Sequence, residues 1–140
     1  MLERKLKGHS YMQAHIESNY DDTHEVLVSY ETDVVHKYVG SSIDVELNFR
    51  PLNAVAVYWC RGLYSRTTIK HISLYCRENG ISYYDLKLCA NTNWYLIVIP
   101  DVNPYKSYYY NCRTGEILEI LNNQKQSYYK KIRAYMYDND

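Results

Sequence analysis

Four cysteines and five histidines are the side chains of this sequence that could serve as nucleophiles, general bases or metal ligands. A cysteine nucleophile needs a histidine within hydrogen-bond reach and a third group that orients this histidine. His71 and Cys76 fall in one predicted helix, but residues five apart do not lie on the same helix face. A contact between Cys60 or Cys112 and a distant histidine stays open, because sequence does not show it. The sequence therefore predicts no catalytic residue.

The spacing of the cysteines points to a structural role. They are scattered along the chain and never form a C-x-x-C pair, which would suggest redox or metal chemistry. In a reducing compartment such residues are usually free, buried thiols, and this is what we expect. A disulfide framework is the less favoured alternative. The four residues are Cys60, Cys76, Cys89 and Cys112.

The histidines lack the regular spacing of a metal site. The five of them form no ligand-spaced pair, and only His24, close to Asp21 and Asp22, stands near a group of acids. The sequence also contains no glycine-rich phosphate loop and no G-x-S-x-G turn. We therefore predict no metal and no cofactor. The five residues are His9, His15, His24, His36 and His71.

A segment from residue 64 to residue 80 combines helix signals with residues that could bind an anion. Ser65 or a nearby threonine can cap a helix, and Gly80 can end it, so a helix is predicted over about 66–79. Cations near the helix start oppose the macrodipole, which natural sequences tolerate where function requires it. Capping hydroxyls, free amides and cations would suit a phosphate or carboxylate. The alternative is a surface helix whose cations pair with nearby acids. The candidate contacts are Ser65, Arg66, Thr67, Thr68, Lys70 and Arg77.

Two further segments carry local charge of opposite sign. Residues 17–35 contain six acids and no lysine or arginine, which indicates either a solvated face or an acidic face that meets a basic partner as a nucleic-acid mimic. The C-terminal segment interleaves cations with rings, which suits phosphate contacts and base stacking, or else forms an amphipathic helix with solvated lysines. The acidic candidates are Asp21, Asp22, Glu25, Glu31 and Asp33, and the basic ones Lys125, Tyr129, Lys130, Lys131 and Arg133.

The helices and strands that must position these residues are predicted to form an α+β fold. We expect one domain over residues 1–140, a mostly antiparallel sheet and two principal helices at about 66–79 and 123–136. Residues 1–23 give no clear pattern. Alternation of Ile43, Val45 and Leu47 with polar residues predicts a strand, and strand is slightly favoured over 81–89. Further strands are expected over 26–30, 34–39, 54–60 and 94–99, with a hairpin over 105–121.

Composition bounds the compartment and the partner. The chain has 140 residues, no net charge and 18 tyrosines against one phenylalanine. Tyrosine is common at protein interfaces, because it supplies contact area at low entropic cost. No apolar run approaches the ~20 residues that span a bilayer, and the charged N-terminus lacks the apolar core of a signal peptide. We therefore expect a cytoplasmic protein that does not bind membranes.

Two segments form a pattern together: the first runs from Ser29 to Val34 and reads S-Y-E-T-D-V, and the second runs from Tyr64 to Ile72 and reads Y-S-R-T-T-I-K-H-I. This pattern resembles one found in small uncharacterised phage and plasmid proteins. The resemblance covers about residues 26–80. It implies a viral or mobile-element origin, hence the host-cell cytosol, and a class that includes inhibitors of host defence such as anti-CRISPR proteins.

From these features we expect a non-enzymatic binding protein that occludes a host macromolecule. The partner would be a host protein or a protein–nucleic-acid complex, and the oligomeric state stays open. The alternative is a nucleic-acid-binding regulator that uses the 66–77 helix and the basic C-terminal segment. A small cysteine-dependent enzyme is a third, less favoured hypothesis.

Overall fold

The structure of the chain, a computed structural model, describes residues 2–7, 13–48, 53–62, 65–99, 106–121 and 125–138. In the last of these ranges, side chains are described for residues 127–133.

An eight-stranded sheet, in which each strand pairs antiparallel with the next one along the chain, forms the frame of the molecule. The edge strands are therefore the first and the last. The strands are β1 (Leu2–Lys5), β2 (Ala14–Ser18), β3 (His24–Ser29), β4 (Thr32–Val39), β5 (Ala56–Cys60), β6 (Trp94–Ile99), β7 (Lys106–Asn111) and β8 (Ile117–Glu119).

The described residues form four helices, which cover the sheet unequally: α1 (Ser41–Leu47), α2 (Arg66–Asn79), α3 (Tyr83–Leu88) and α4 (Lys125–Asp138). The last three pack on one face, where Ile72, Leu86 and Ile132 join buried strand residues in the main core. Burial of these side chains, each contributing about 1.5–3 kcal/mol, holds the three helices on the sheet. We call the outer surface of α2, α3 and α4 the helical face.

The opposite side of the sheet is only partly covered. Of the described helices, α1 lies there, with Ile43 and Leu47 packed among Val57, Ile97 and other residues of the central strands in a second, smaller core. The part of this side formed by β1 to β4 carries half-exposed histidines and acids alternating with residues that point into the main core. We call it the open face.

The α+β class and the antiparallel sheet are confirmed. The predicted helix over 66–79 is α2, capped by Ser65, whose side chain accepts from the Thr68 N–H, and ended by Gly80 at φ 70°. The second principal helix also exists, but it spans Lys125–Asp138. Residues 1–23, for which no pattern was clear, supply β1 and β2. No helix among the described residues is long and apolar enough to cross a bilayer.

Two strand predictions were wrong. Residues 43–47 belong to α1, because Ile43 and Leu47, four apart, face the core while Val45 is 80% exposed. In so short a segment, the alternation of apolar and polar residues expected of a strand and the i, i+4 spacing expected of a helix both predict that Ile43 and Leu47 are buried. Residues 83–88 form α3, in which Ser82 accepts from the Asp85 N–H and Leu86 is buried. This capping contact decides for the helix over the strand.

Candidate functional site

The exposed side of α2 carries a row of three cations. Arg66, Lys70 and Arg77 fall within about 40° of one another around the helix axis and span about 16 Å along it. All three side chains are exposed. In the described part of the chain no acid forms an ion pair with any of them. We call these three residues the cation row, and it is free to meet an anionic partner.

The hydroxyls predicted beside this row are divided between surface and core. Thr67 and Ser65 are exposed, but Ser65 already caps the helix by accepting from the Thr68 N–H. Thr68 is only 6% exposed, and its hydroxyl lies 3.1 Å from that of Ser29 on β3. Ser29 in turn lies 2.8 Å from Nδ1 of the fully buried His71. Thr68 and His71 therefore hold α2 on the sheet.

This buried contact joins the two segments of the resemblance described above. Tyr30 and Glu31 form the β3–β4 turn with φ values of 49° and 69°, a conformation that normally selects glycine or asparagine. The Tyr30 ring lies 5.8 Å from the His71 ring, and the backbone N–H of Tyr30 donates to the Gln13 carbonyl. Packing and hydrogen bonding thus hold a strained turn against α2. Tyr64 lies outside the described residues.

The acidic candidates do not form one face. Asp21 and Asp22 lie in the β2–β3 turn, whereas Glu31 lies beyond the other end of β3, about 20 Å away. Glu25 accepts from Arg4 and from the buried Tyr75 hydroxyl. The fifth, Asp33, lies near Glu31 and is engaged by two partners, as described below. The structure therefore separates these acids and neutralises two of them.

The basic C-terminal candidates are also divided. Tyr129 is 44% exposed and Lys130 is exposed, whereas Lys131 pairs with Glu116. Arg133 is only 9% exposed and donates to the carbonyls that end α3. Its guanidinium thus ties α4 to the end of α3. The Lys125 side chain lies outside the described residues.

The neutral net charge conceals an uneven distribution. The helical face presents the cation row together with Lys87 and Lys130, all exposed. Among the described side chains of α2, α3 and α4, the acids are Glu78, which pairs with Arg4, and the half-buried Asp85. The opposite side of the sheet and α1 carry five further acids, Glu3, Glu17, Asp33, Asp44 and Glu46. Such segregation gives a locally positive surface on a neutral chain.

The open face holds a chain of titratable groups that sequence reasoning missed. Arg61 and His36 both bind the Asp33 carboxylate, at 2.8 and 2.7 Å, and the other nitrogen of His36 lies 3.0 Å from Nε2 of His24. The His24 ring stacks on Tyr38 with centroids 4.6 Å apart. Burial alone would raise the pKa of Asp33, but the hydrogen bonds from Arg61 and His36 outweigh it and lower this pKa.

The strand register is what brings the titratable groups of the open face together. His24 and His36 lie on the same side of neighbouring strands, as the pairing of His24 with Tyr38 and of Val26 with His36 shows. Twelve positions apart in sequence, they lack the spacing of a ligand pair, so their contact could not be predicted without the strand register. The proposed neighbours Asp21 and Asp22 do not form this group with His24.

The pKa of His24 predicts how stability changes with pH. Burial and the neighbouring His36 lower this pKa from its ordinary 6.5, which Glu46 offsets only in part. Because the folded-state pKa lies below the unfolded one, the stabilisation is complete above about pH 6.5 and is lost as the pH falls toward the folded value. We expect the free energy of unfolding in urea to fall from about pH 7 to about pH 5 and His24→Gln to flatten this fall. An equally steep fall in the variant would contradict this assignment.

Three cysteines are buried, as predicted, but Cys112 is exposed. All four are free thiols. Burial raises the pKa of Cys60 to about 11 and that of Cys76 to about 12, and it also raises the pKa of Cys89. Because the thiolate is the nucleophile, these three are poorly suited to react near neutral pH.

This burial predicts the pattern of alkylation. With iodoacetamide at about pH 8, we expect Cys112 to be modified first and the other three only after unfolding, which intact-mass and peptide mass spectrometry would show. The same reaction in denaturant is the control and should modify all four thiols. Rapid modification of Cys60 or Cys76 in the native chain would mean that a reactive thiol is accessible.

Comparison of the chain with protein-family models, curated proteins and solved structures finds no match in any of the three.

Proposed function

We propose that this chain is a non-enzymatic binding protein of mobile-element type, which occludes a nucleic-acid-bearing host complex with its helical face. The observation that carries the proposal is the cation row, three exposed cations on one side of α2 that pair with no acid among the described residues. Arginine and lysine contacts to phosphates supply most of the sequence-independent affinity for nucleic acids. A protein of this kind would recognise the anionic surface of its target.

The position of Arg66 supports a functional reading of this row. As the first residue of α2, it adds positive charge where the helix dipole is already positive, at a cost of about 0.3–1 kcal/mol. No acid among the described residues relieves that cost. A bound phosphate would relieve it, because an anion near a helix start interacts favourably with both the cation and the dipole.

The acidic-mimic version of the proposal loses its support. A mimic of nucleic acid needs acids that form one continuous, uncompensated surface, and the acids of residues 21–33 lie at both ends of β3. Arg4 compensates Glu25, and Arg61 compensates Asp33. We therefore assign the contact to the helical face.

A second candidate is a regulator that binds free nucleic acid through the same surface. It is favoured by Tyr84 and Tyr129, which are 74% and 44% exposed and stand on α3 and α4 with Lys87 and Lys130. Exposed rings beside cations allow bases to stack while phosphates are held, a combination found in proteins that bind single strands.

One experiment tests both candidates. Fluorescence anisotropy with labelled single-stranded RNA, single-stranded DNA and duplex DNA would be measured at about 50 and 200 mM salt. Micromolar binding to naked strands that persists near physiological salt supports the regulator. Binding to naked strands only at low salt, with nuclease-sensitive capture of a complex from host lysate, supports occlusion. If nothing binds at low salt and capture is insensitive to nuclease, both candidates are wrong.

A further inference from the structure

The open face brings one histidine and two carboxylates together on the paired strands β1 and β2. Nε2 of His15 lies 3.5 Å from Oε1 of Glu3 and 3.3 Å from Oε1 of Glu17. The three ligand atoms lie within 4.8 Å of one another. His15 and Glu17 are about one-third exposed, and Glu3 is largely exposed, so an ion could reach them from solvent. The histidine is what distinguishes this group from an ordinary acidic cluster.

We propose that Glu3, His15 and Glu17 bind a first-row divalent transition-metal ion, with Zn²⁺ the best fit. Zinc bonds to histidine nitrogen and carboxylate oxygen are about 2.0–2.2 Å long, which places neighbouring ligands of a tetrahedral ion about 3.3–3.5 Å apart. The two distances from His15 to the carboxylates have this length. A mixed nitrogen and oxygen set favours zinc over Mg²⁺ and Ca²⁺, which prefer oxygen ligands alone.

The strand register supplies an independent argument. Glu3 and Glu17 are direct cross-strand partners, so two carboxylates stand opposite each other on an antiparallel pair, an arrangement that destabilises a sheet. Lys5 lies opposite His15, but among the described residues it forms an ion pair with neither carboxylate. A bound dication would convert this repulsion into attraction and would tie the edge strand β1 to β2.

The geometry also indicates the kind of site. Three protein ligands leave one tetrahedral position open for water or an external ligand, as in zinc sites that are not purely structural. Glu17 also lines a groove of about 290 Å³ between β2 and β3, together with Tyr20, His24 and Val26. An ion held here would thus lie at the edge of a concave surface that is largely apolar.

The test uses the full chain and the metal alone. Calorimetric titration with Zn²⁺ should show one ion per chain with micromolar or tighter affinity, and Co²⁺ should give the intense visible absorption of a tetrahedral site. His15→Ala and Glu17→Gln should each weaken binding by at least roughly 30-fold, because changes to outer-shell partners already cost about 10–100-fold and the loss of a direct ligand should cost at least as much. The control Glu31→Gln, an exposed acid outside the group, should bind zinc like the natural chain.

A variant that is expected to bind zinc more tightly still tests the proposal if the substitution of a ligand disturbs the fold. Lys5→Gln removes a cation next to the site, and we expect zinc to bind severalfold more tightly at low salt. Zinc should also slow amide hydrogen exchange in β1 of the natural chain. Absence of zinc binding, or binding that His15→Ala and Glu17→Gln leave unchanged, would overturn the proposal. The three residues would then form only ion pairs between His15 and the two carboxylates.

Discussion

Replacement of Arg133 by glutamate is expected to lower the free energy of unfolding by at least about 3 kcal/mol. Arg133 is 9% exposed, and its Nη2 donates to the Lys87 carbonyl at 2.9 Å and to the Ala90 carbonyl at 3.2 Å. These carbonyls lie at and just beyond the end of α3, where C=O groups run short of backbone donors, although the Lys87 carbonyl also accepts from the Ala90 N–H. A glutamate would leave them without this donor and would place a buried anion against their negative ends. Urea denaturation followed by circular dichroism would measure the loss.

Lys130→Glu is the matched control for this prediction. It makes the same change of charge three residues earlier on α4, at an exposed position, and should change stability by less than about 0.5 kcal/mol. If Arg133→Glu were as stable as Lys130→Glu and instead lost partner binding, Arg133 would be a surface contact and the packing of α4 described here would be wrong.

Charge reversal of the whole cation row should weaken binding to single-stranded nucleic acid by roughly 100-fold at about 50 mM salt. The variant is Arg66→Glu with Lys70→Glu and Arg77→Glu. The fold should persist, because a glutamate at position 66 improves the interaction with the helix dipole by about as much as one at position 77 worsens it. The three side chains are exposed and pair with no acid among the described residues. Anisotropy measures affinity, and thermal unfolding checks the fold.

The control changes the net charge equally but elsewhere. This control replaces with glutamate three exposed cations outside the helical face, Lys5, Lys7 and Arg113. A chelator is present because Lys5 lies beside the proposed zinc site. A general charge effect would weaken binding in both variants, whereas a specific site would lose affinity only in the first. Equal losses in the two variants would contradict the assignment of the contact to α2.

The accuracy of the sequence predictions differs between elements for physical reasons. The bounds of α2 were predictable because the cap at Ser65, the buried positions and Gly80 all agree. In α1, Ile43 and Leu47 satisfy helical and strand periodicity equally well. The residues on either side of the segment select the helix. Gly40 and Asn48 have φ values of 57° and 63°, and such backbone conformations interrupt a strand on both sides of α1. In seven residues, turn chemistry outweighs hydrophobic pattern.

The surfaces divide in the same way. The cation row could be predicted, because three positions on one helix share a face by spacing alone. Clusters that cross strands could not, since Glu3 meets His15 and His24 meets His36 only once the strand register is known. Arg133 shows the limit of reasoning from composition, because a cation beside tyrosines looks the same whether it meets phosphate or caps a neighbouring helix.

The most direct test of the central claim maps the contact surface residue by residue. Amide chemical shifts of the isotope-labelled chain would be followed by NMR during titration with a single-stranded RNA. We predict that the largest changes fall along α2, from Arg66 to Arg77, and around Lys130 on α4, while the strands of the open face change little. Changes concentrated on the open face, or none at concentrations that saturate binding, would contradict the proposal that the helical face meets the anionic partner.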